Sequence, residues 1–155
     1  MRLQEAPPAG QRRLMNIDGL DDTTIARILT TTRRIALVGA SANPARPSNE
    51  VLGALLRLGY DVTPVNPGLA GTRLHGREVA ASLDDATPLD MVELFRASER
   101  VLPAVRDAIR LGAKTIWMQL GVVNEGAAAL ARAAGLVVVM NRCPLIERPR
   151  LGLTP

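Results

Sequence analysis

The residues of this sequence with the means to hold a ligand are arginines, amides and small turn residues, and groups able to move a proton are few and scattered. The apolar run Ile35–Val38 leads into Gly39-Ala40-Ser41, and Arg46-Pro47-Ser48 follows a few residues later. Gly39 permits a tight bend and the close approach of a ligand to the backbone, and Ser41 offers a hydroxyl. A helix opening at Pro47 and Ser48 points unpaired N–H groups at that bend. Such an end favours phosphate through its dipole and its free donors. Arg46 stands just before it, placed for a two-pronged hydrogen bond to phosphate oxygens. A plainer reading, in which Gly39 and Ser41 only turn and cap the chain, fits this motif almost as well when it is taken alone.

Two common phosphate motifs are absent. The dinucleotide fingerprint needs G-x-G-x-x-G and an acid about 20 residues on for the ribose hydroxyls. Here the run is GASANPARPS, without the second or third glycine. The next extended segment ends in Val65-Asn66-Pro67, with no carboxylate at its tip, and Asp61 lies at its other end. Both departures count against NAD. No G-x-x-x-x-G-K-[ST] loop occurs either, which argues against nucleotide hydrolysis.

No catalytic set assembles from the remaining titratable groups. Glu125 opens a helix and reads as a first-turn charge stabilising the dipole. His75 lies in a weakly patterned stretch and reads as a surface residue. Cys143, before Pro144, reads as a small buried side chain, although it could lie near a bound thiol. Asp84 and Asp85 look like a turn or cap, and Asp90 like the start of a strand. One cysteine forms no disulfide within the chain, and with one histidine it supplies no typical zinc site.

These residues need a scaffold, and the pattern of the chain describes one. DDTTIARILTTTR is a leading helix capped at Asp21 and Asp22. RIALVGAS, YDVTPVNP, DMVELF, TIWMQLG and LVVVMN read as strands, the first buried on both faces. PSNEVLGALLRLG, SERVLPAVRDAIRLGA (with Ser98 as cap) and NEGAAALARAAG read as the intervening helices. From Gly68 to Pro88 the signal is weak, with a short extended piece around Glu78 and Val79, and RCPLIERPRLGLTP reads as irregular. Strands alternating with helices imply a single α/β domain, a Rossmann-like doubly wound parallel sheet. In such sheets ligands bind outside the carboxyl ends of the strands. The residues to examine are then Gly39-Ala40-Ser41, Asn66-Pro67, Phe95-Arg96, Gln119-Leu120-Gly121 and Asn141-Arg142.

The bulk numbers agree with a soluble domain. The chain has 155 residues, 47% apolar and 22% charged, enough for one core. No apolar run approaches the roughly 20 residues that span a membrane, and residues 1–16 show no signal-like apolar stretch and read as a disordered tail, with the domain proper at 17–155. Met15 is a possible start. A cytoplasmic location follows, with no membrane partner. The net charge of +4 comes almost wholly from arginine. The arginines are scattered and aromatics make up only 2%, which gives nucleic acid no stacking platform. Most arginines are expected on solvated helix faces, with two or three left for phosphate.

Together IALVGAS, RPS, GYDVTPVNP, DMVELFR, TIWMQLG and NEGAAALARAAGLVVVMNRCP resemble the small stand-alone CoA-binding proteins of bacteria. These are similar to the CoA-binding domain of the succinyl-CoA synthetase alpha subunit. The resemblance runs from about Asp21 to Glu147. It implies a Rossmann-type fold holding coenzyme A or an acyl-CoA across the strand tips, with no catalysis of its own and a possible homo-oligomer. By position, Gly39, Ala40 and Ser41 would line the first turn, and Arg46, Pro47 and Ser48 would face the phosphates. Val65, Asn66 and Pro67 would meet the nucleotide end. Phe95, Arg96 and Gln119 would border the rest of the crevice, with Asn141 a weaker member. The larger ligase needs a phosphorylated histidine in a second domain and a partner chain. His75 matches no such loop, so ligase activity does not carry over. The competing readings are a nucleotide-dependent oxidoreductase and a detached subunit of an acyl-CoA ligase.

Overall fold

The apolar run after Arg34 forms the first strand of a five-stranded parallel sheet in a computed structural model that describes residues 17–153. The expectations of a disordered tail at 1–16 and of a start at Met15 lie outside those residues. A helix, α1 (Asp22–Thr31), precedes the sheet; Asp21 caps it by accepting a hydrogen bond from the Thr24 amide, and Ile25, Ile28 and Leu29 form its buried stripe. There follow β1 (Arg34–Val38), α2 (Pro47–Arg57) and β2 (Asp61–Val65). A two-stranded hairpin, β3 (Arg73–Leu74) and β4 (Arg77–Glu78), leads to β5 (Met91–Leu94), α3 (Leu102–Arg110), β6 (Thr115–Met118), α4 (Glu125–Ala133), β7 (Val137–Val139) and α5 (Pro144–Arg150).

The sheet order is β2-β1-β5-β6-β7, every pairing parallel. The chain moves outward from β1 to β2 and then jumps back across β1 to β5. The order therefore reverses between β1 and β5, which is where a doubly wound sheet opens a crevice. Side chains alternate across the sheet. Ala36, Val38, Val92, Leu94, Ile116 and Met118 pack with Val105 and Ala108 of α3 and Ala127, Ala128 and Ala131 of α4. Ile35, Leu37, Met91, Trp117 and Val139 pack with α1 and with Val51, Leu52 and Leu55 of α2. The doubly wound α/β expectation therefore holds.

Two local expectations need correction. The segment after β7 is not irregular: Pro144 sits in the first turn of α5, where its missing N–H costs nothing, and buried Glu147 ties the helix down. Pro149 and the crowd of arginines hide this periodicity. Ser98 does not cap α3, which starts at Leu102 because Pro103 fits only a first turn. Ser98 begins a short 3-10 turn, Ser98–Arg100, and its hydroxyl reaches another loop.

One buried group was not foreseen. Glu93, in the middle of β5, is 0% exposed, and neither carboxyl oxygen has a hydrogen-bond partner. Burial pushes its pKa well above the ordinary carboxylate range, and the Cys143 thiol acts in the same direction. A group whose folded pKa is raised stabilises fully below its unfolded value, 4.5, and that contribution is lost as pH rises through the folded value. Glu93→Met should therefore stabilise the protein by about 1–3 kcal/mol, the cost of an unpaired buried polar group, and more at pH 8 than at pH 5. Urea unfolding at the two pH values checks this; a loss of stability at both would refute it.

Candidate functional site

The carboxyl ends of β2, β1, β5 and β6 border one cleft of about 760 Å³, within the range usual for small-molecule sites. Its floor is the first turn. Gly39 adopts φ +89°, and a Cβ placed there would lie 2.1 Å from the Phe95 carbonyl oxygen. Only glycine lets the tips of β1 and β5 come together. The Gly39 and Ala40 amides both donate to the Val65 carbonyl, at 3.1 and 3.3 Å. The Asn66 side chain fastens the same turn from β2, its Nδ2 donating to the Ala40 carbonyl at 2.8 Å while its Oδ1 accepts from Gly68 N at 2.8 Å. Asn49 of α2 donates from Nδ2 to the Ser41 carbonyl at 2.8 Å. His75 contacts Asn49 from the hairpin, Nε2 to Oδ1 at 2.9 Å, and is exposed, as expected of a surface histidine.

The start of α2 faces this turn. Arg46 is its N-cap and makes no side-chain capping hydrogen bond, and Pro47 follows it. Pro47 has no N–H, and the Asn49 and Glu50 amides donate to the Arg46 carbonyl at 3.1 and 3.3 Å, so the Ser48 N–H is the first-turn donor left over, and the dipole makes this end attractive to anions. Arg46 and Arg96 are exposed at the cleft, and neither forms an ion pair with a carboxylate among the described residues. Ser48 is buried in the first turn of α2, and Ser41 accepts from the Asn43 amide at 3.1 Å.

The cleft changes character along its length. The tips of β2 and β6 stand three strand spacings apart, about 14 Å. Asn66 and Gly68 lie at one end, the α2 terminus and Arg46 come next, Phe95 and Arg96 stand between on the β5 tip, and Gln119, Leu120 and Val122 form the other end. Leu120 is 50% exposed there, one of few large apolar side chains so placed. A phosphate-friendly region thus adjoins a largely apolar one.

Of the residues that the resemblance assigns to the ligand site, Gly39, Ala40, Ser41, Arg46, Pro47, Ser48, Asn66, Phe95, Arg96 and Gln119 line the cleft. Three do not line it. Val65 is buried in β2 and contributes its carbonyl to the first turn. Pro67 begins an exposed 3-10 turn, Pro67–Leu69. Asn141 stands at the corner between β7 and α5, its Oδ1 accepting from the Gly121 amide at 2.8 Å. Ala42, Asn43, Gly68, Leu69, Leu120 and Val122 also line it, and of these sequence reading had marked only Leu120, as a strand-end residue.

The CoA binding domain family matches this chain over residues 33–149. The chain belongs to that family. The domain is 35% identical over 120 residues to YneT of Bacillus subtilis, an uncharacterized protein, covering 77% of this chain and 87% of that one. A hypothetical protein from Pyrococcus horikoshii OT3 has the same fold with a TM-score of 0.83 and 40% identity, over 96% of this chain and 99% of that one. The domain also matches part of a dinucleotide-forming acetyl-coenzyme A synthetase of Ca. Korarchaeum cryptofilum, with a TM-score of 0.58 and 25% identity over 68% of this chain and 25% of the synthetase. Among the described residues no helix is long and apolar enough to cross a membrane.

Proposed function

We propose that this domain binds coenzyme A, or an acyl-CoA, in the cleft over its strand tips and holds it without supplying a catalytic residue. The observation that carries the reading is the division of the cleft. An uncapped helix N-terminus with Arg46 suits the phosphates, and the end formed by Phe95, Gln119, Leu120 and Val122 suits an arm of alkyl segments joined by amides. Coenzyme A joins those two chemistries in one molecule, and its reactivity resides in its own thiol. Asn66, with no acid at the β2 tip, offers a dinucleotide's ribose no carboxylate partner. Membership in the CoA binding domain family supports the same ligand.

The first test is a thermal shift series with coenzyme A, acetyl-CoA, NAD and ATP. Coenzyme A or its acetyl ester should raise the melting temperature, and NAD should not. No response to coenzyme A or acetyl-CoA with a clear response to NAD would overturn the reading. Arg46→Ala and Arg96→Ala should each weaken binding about tenfold or more, as expected for a charge-assisted hydrogen bond to phosphate. Unchanged affinity in both would mean that the ligand lies elsewhere.

The match to one part of the Korarchaeum synthetase favours a second reading, a detached partner of an acyl-CoA ligase. Pull-down from cells of origin followed by mass spectrometry tests it: recovery of a larger nucleotide-binding chain would support it, and isolation of the domain alone would not.

A further inference from the structure

We propose that Asn141 and Ser98 are positioning residues that clamp the β6 wall of the cleft from its two edges without touching the ligand. The proposal rests on the reading of the cleft as a coenzyme A site. The wall is the turn Gln119–Val122, closed by a hydrogen bond from the Val122 amide to the Gln119 carbonyl at 2.8 Å. Gly121 at its apex is exposed and has φ +82°, so no packing fixes it. Its two backbone polar groups are instead taken by side chains from two different strand tips. Asn141 Oδ1 accepts from the Gly121 N–H at 2.8 Å, and Ser98 Oγ donates to the Gly121 carbonyl at 3.3 Å. Ser98 Oγ also accepts from the Val123 amide at 2.9 Å, and its carbonyl accepts from Asn124 Nδ2 at 2.9 Å. Leu120, half exposed toward the cleft, sits beside this double tie.

The anchor is firm on the Asn141 side. Asn141 adopts φ +59°, a left-handed conformation that Asn tolerates and most residues do not. Its neighbours are pinned: Asp18 Oδ2 accepts from the Met140 amide at 3.1 Å, and Trp117 Nε1 donates to the Arg142 carbonyl at 2.8 Å. The Asn141 side chain is therefore presented from a fixed corner. The turn takes its position from that corner and from Ser98. A ligand reaching the β6 end then meets a formed wall and need not order one.

The clamp should act on the ligand's arm and not on its phosphates, because α2 and the first turn lie two strands away from the tip of β6. Asn141→Gly keeps the left-handed backbone and removes the acceptor, Asn141→Asp keeps an acceptor, and Ser98→Ala removes the other tie. Two measurements decide. In ligand-free protein, amide hydrogen exchange at Gly121 and Val123 should accelerate in Asn141→Gly and Ser98→Ala, while Gly39 and Ala40 stay as protected as before. In calorimetric titration, both variants should bind coenzyme A about five- to tenfold more weakly, the effect of a lost hydrogen bond, yet bind adenosine 3′,5′-bisphosphate, which lacks the arm, as the unmodified protein does. Asn141→Asp should restore coenzyme A binding. Unchanged exchange at Gly121, or an equal loss for both ligands, overturns the clamp. If the unmodified protein bound neither ligand, the coenzyme A reading would fall while the exchange result still decided the clamp.

Discussion

Gly39→Ala is expected to destabilise the protein by about 3–5 kcal/mol, combining left-handed backbone strain with an overlap that packing cannot absorb. The added Cβ would lie 2.1 Å from the Phe95 carbonyl oxygen and 2.9 Å from its carbon. Those are backbone atoms at the tip of the central strand, so no rotamer change relieves the contact. Either the tips of β1 and β5 separate or the first turn is rebuilt, and in both cases the cleft floor is lost together with ligand affinity. Gly135→Ala is the matched control. It has φ +92° but nothing within 4 Å of its added Cβ, so it should show the strain alone, about 1–2 kcal/mol. Urea unfolding of the two variants separates the terms. A Gly39→Ala protein no less stable than Gly135→Ala would show that β1 and β5 are not pressed together as described.

Arg142→Met should cost a comparable amount, about 3–5 kcal/mol, because it leaves a buried carboxylate without its partner. Arg142 is 7% exposed and reaches Asp18 from Nε and Nη2, at 2.9 and 2.8 Å, and Glu147 from Nη1 at 2.7 Å. Burial alone would raise the pKa of Asp18, but the Arg142 guanidinium and the Leu20 and Met140 amides outweigh it and hold the carboxyl below its ordinary 3.8. Glu147 behaves likewise: burial raises it, Arg150 and Arg142 lower it, and the net is below 4.5. Groups with depressed folded pKa values stabilise above their unfolded values, and the stabilisation is lost as pH falls through the folded ones. The difference between Arg142→Met and the unmodified protein should therefore be greatest near pH 7 and shrink below pH 3.8, where the unmodified protein also loses the pair. Asp18→Asn combined with Arg142→Met should cost less than the sum of the two single changes, since the stranded charge is gone. Additive losses, or a difference indifferent to pH, would mean that packing and not charge sets the cost.

Which parts of this architecture could be read in the chain follows from how local each signal is. β1, β5 and β6 announce themselves as short apolar runs with Gly or polar stops, and α2 as a Pro-led helix ending near Gly59. Once those are placed, the strand-end rule brings Gly39, Arg46, Phe95 and Gln119 to one cleft. The Asp18–Arg142 pair joins residues 124 positions apart, and nothing near either residue foretells it. Arg142 stands out in the sequence only as a strand-end neighbour, and the expectation of solvated arginines misses its burial. Glu93 was hidden by its apolar neighbours in DMVELF, since a strand buried on both faces carries no alternation to betray an inward acid. Asn141 reads in the sequence as a weaker member of the ligand site, but whether a strand-end amide faces a ligand or a neighbouring turn depends on a backbone angle that spacing does not reveal.

Occupation of the cleft between the α2 terminus and the β6 turn by coenzyme A can be measured outright. Native mass spectrometry of the full-length protein, as purified and after incubation with coenzyme A and NAD together, tests it most directly. A bound species with the mass of coenzyme A or an acyl-CoA is expected, diminished in Arg46→Ala and Arg96→Ala. Protein that takes up NAD and leaves coenzyme A unbound would contradict it.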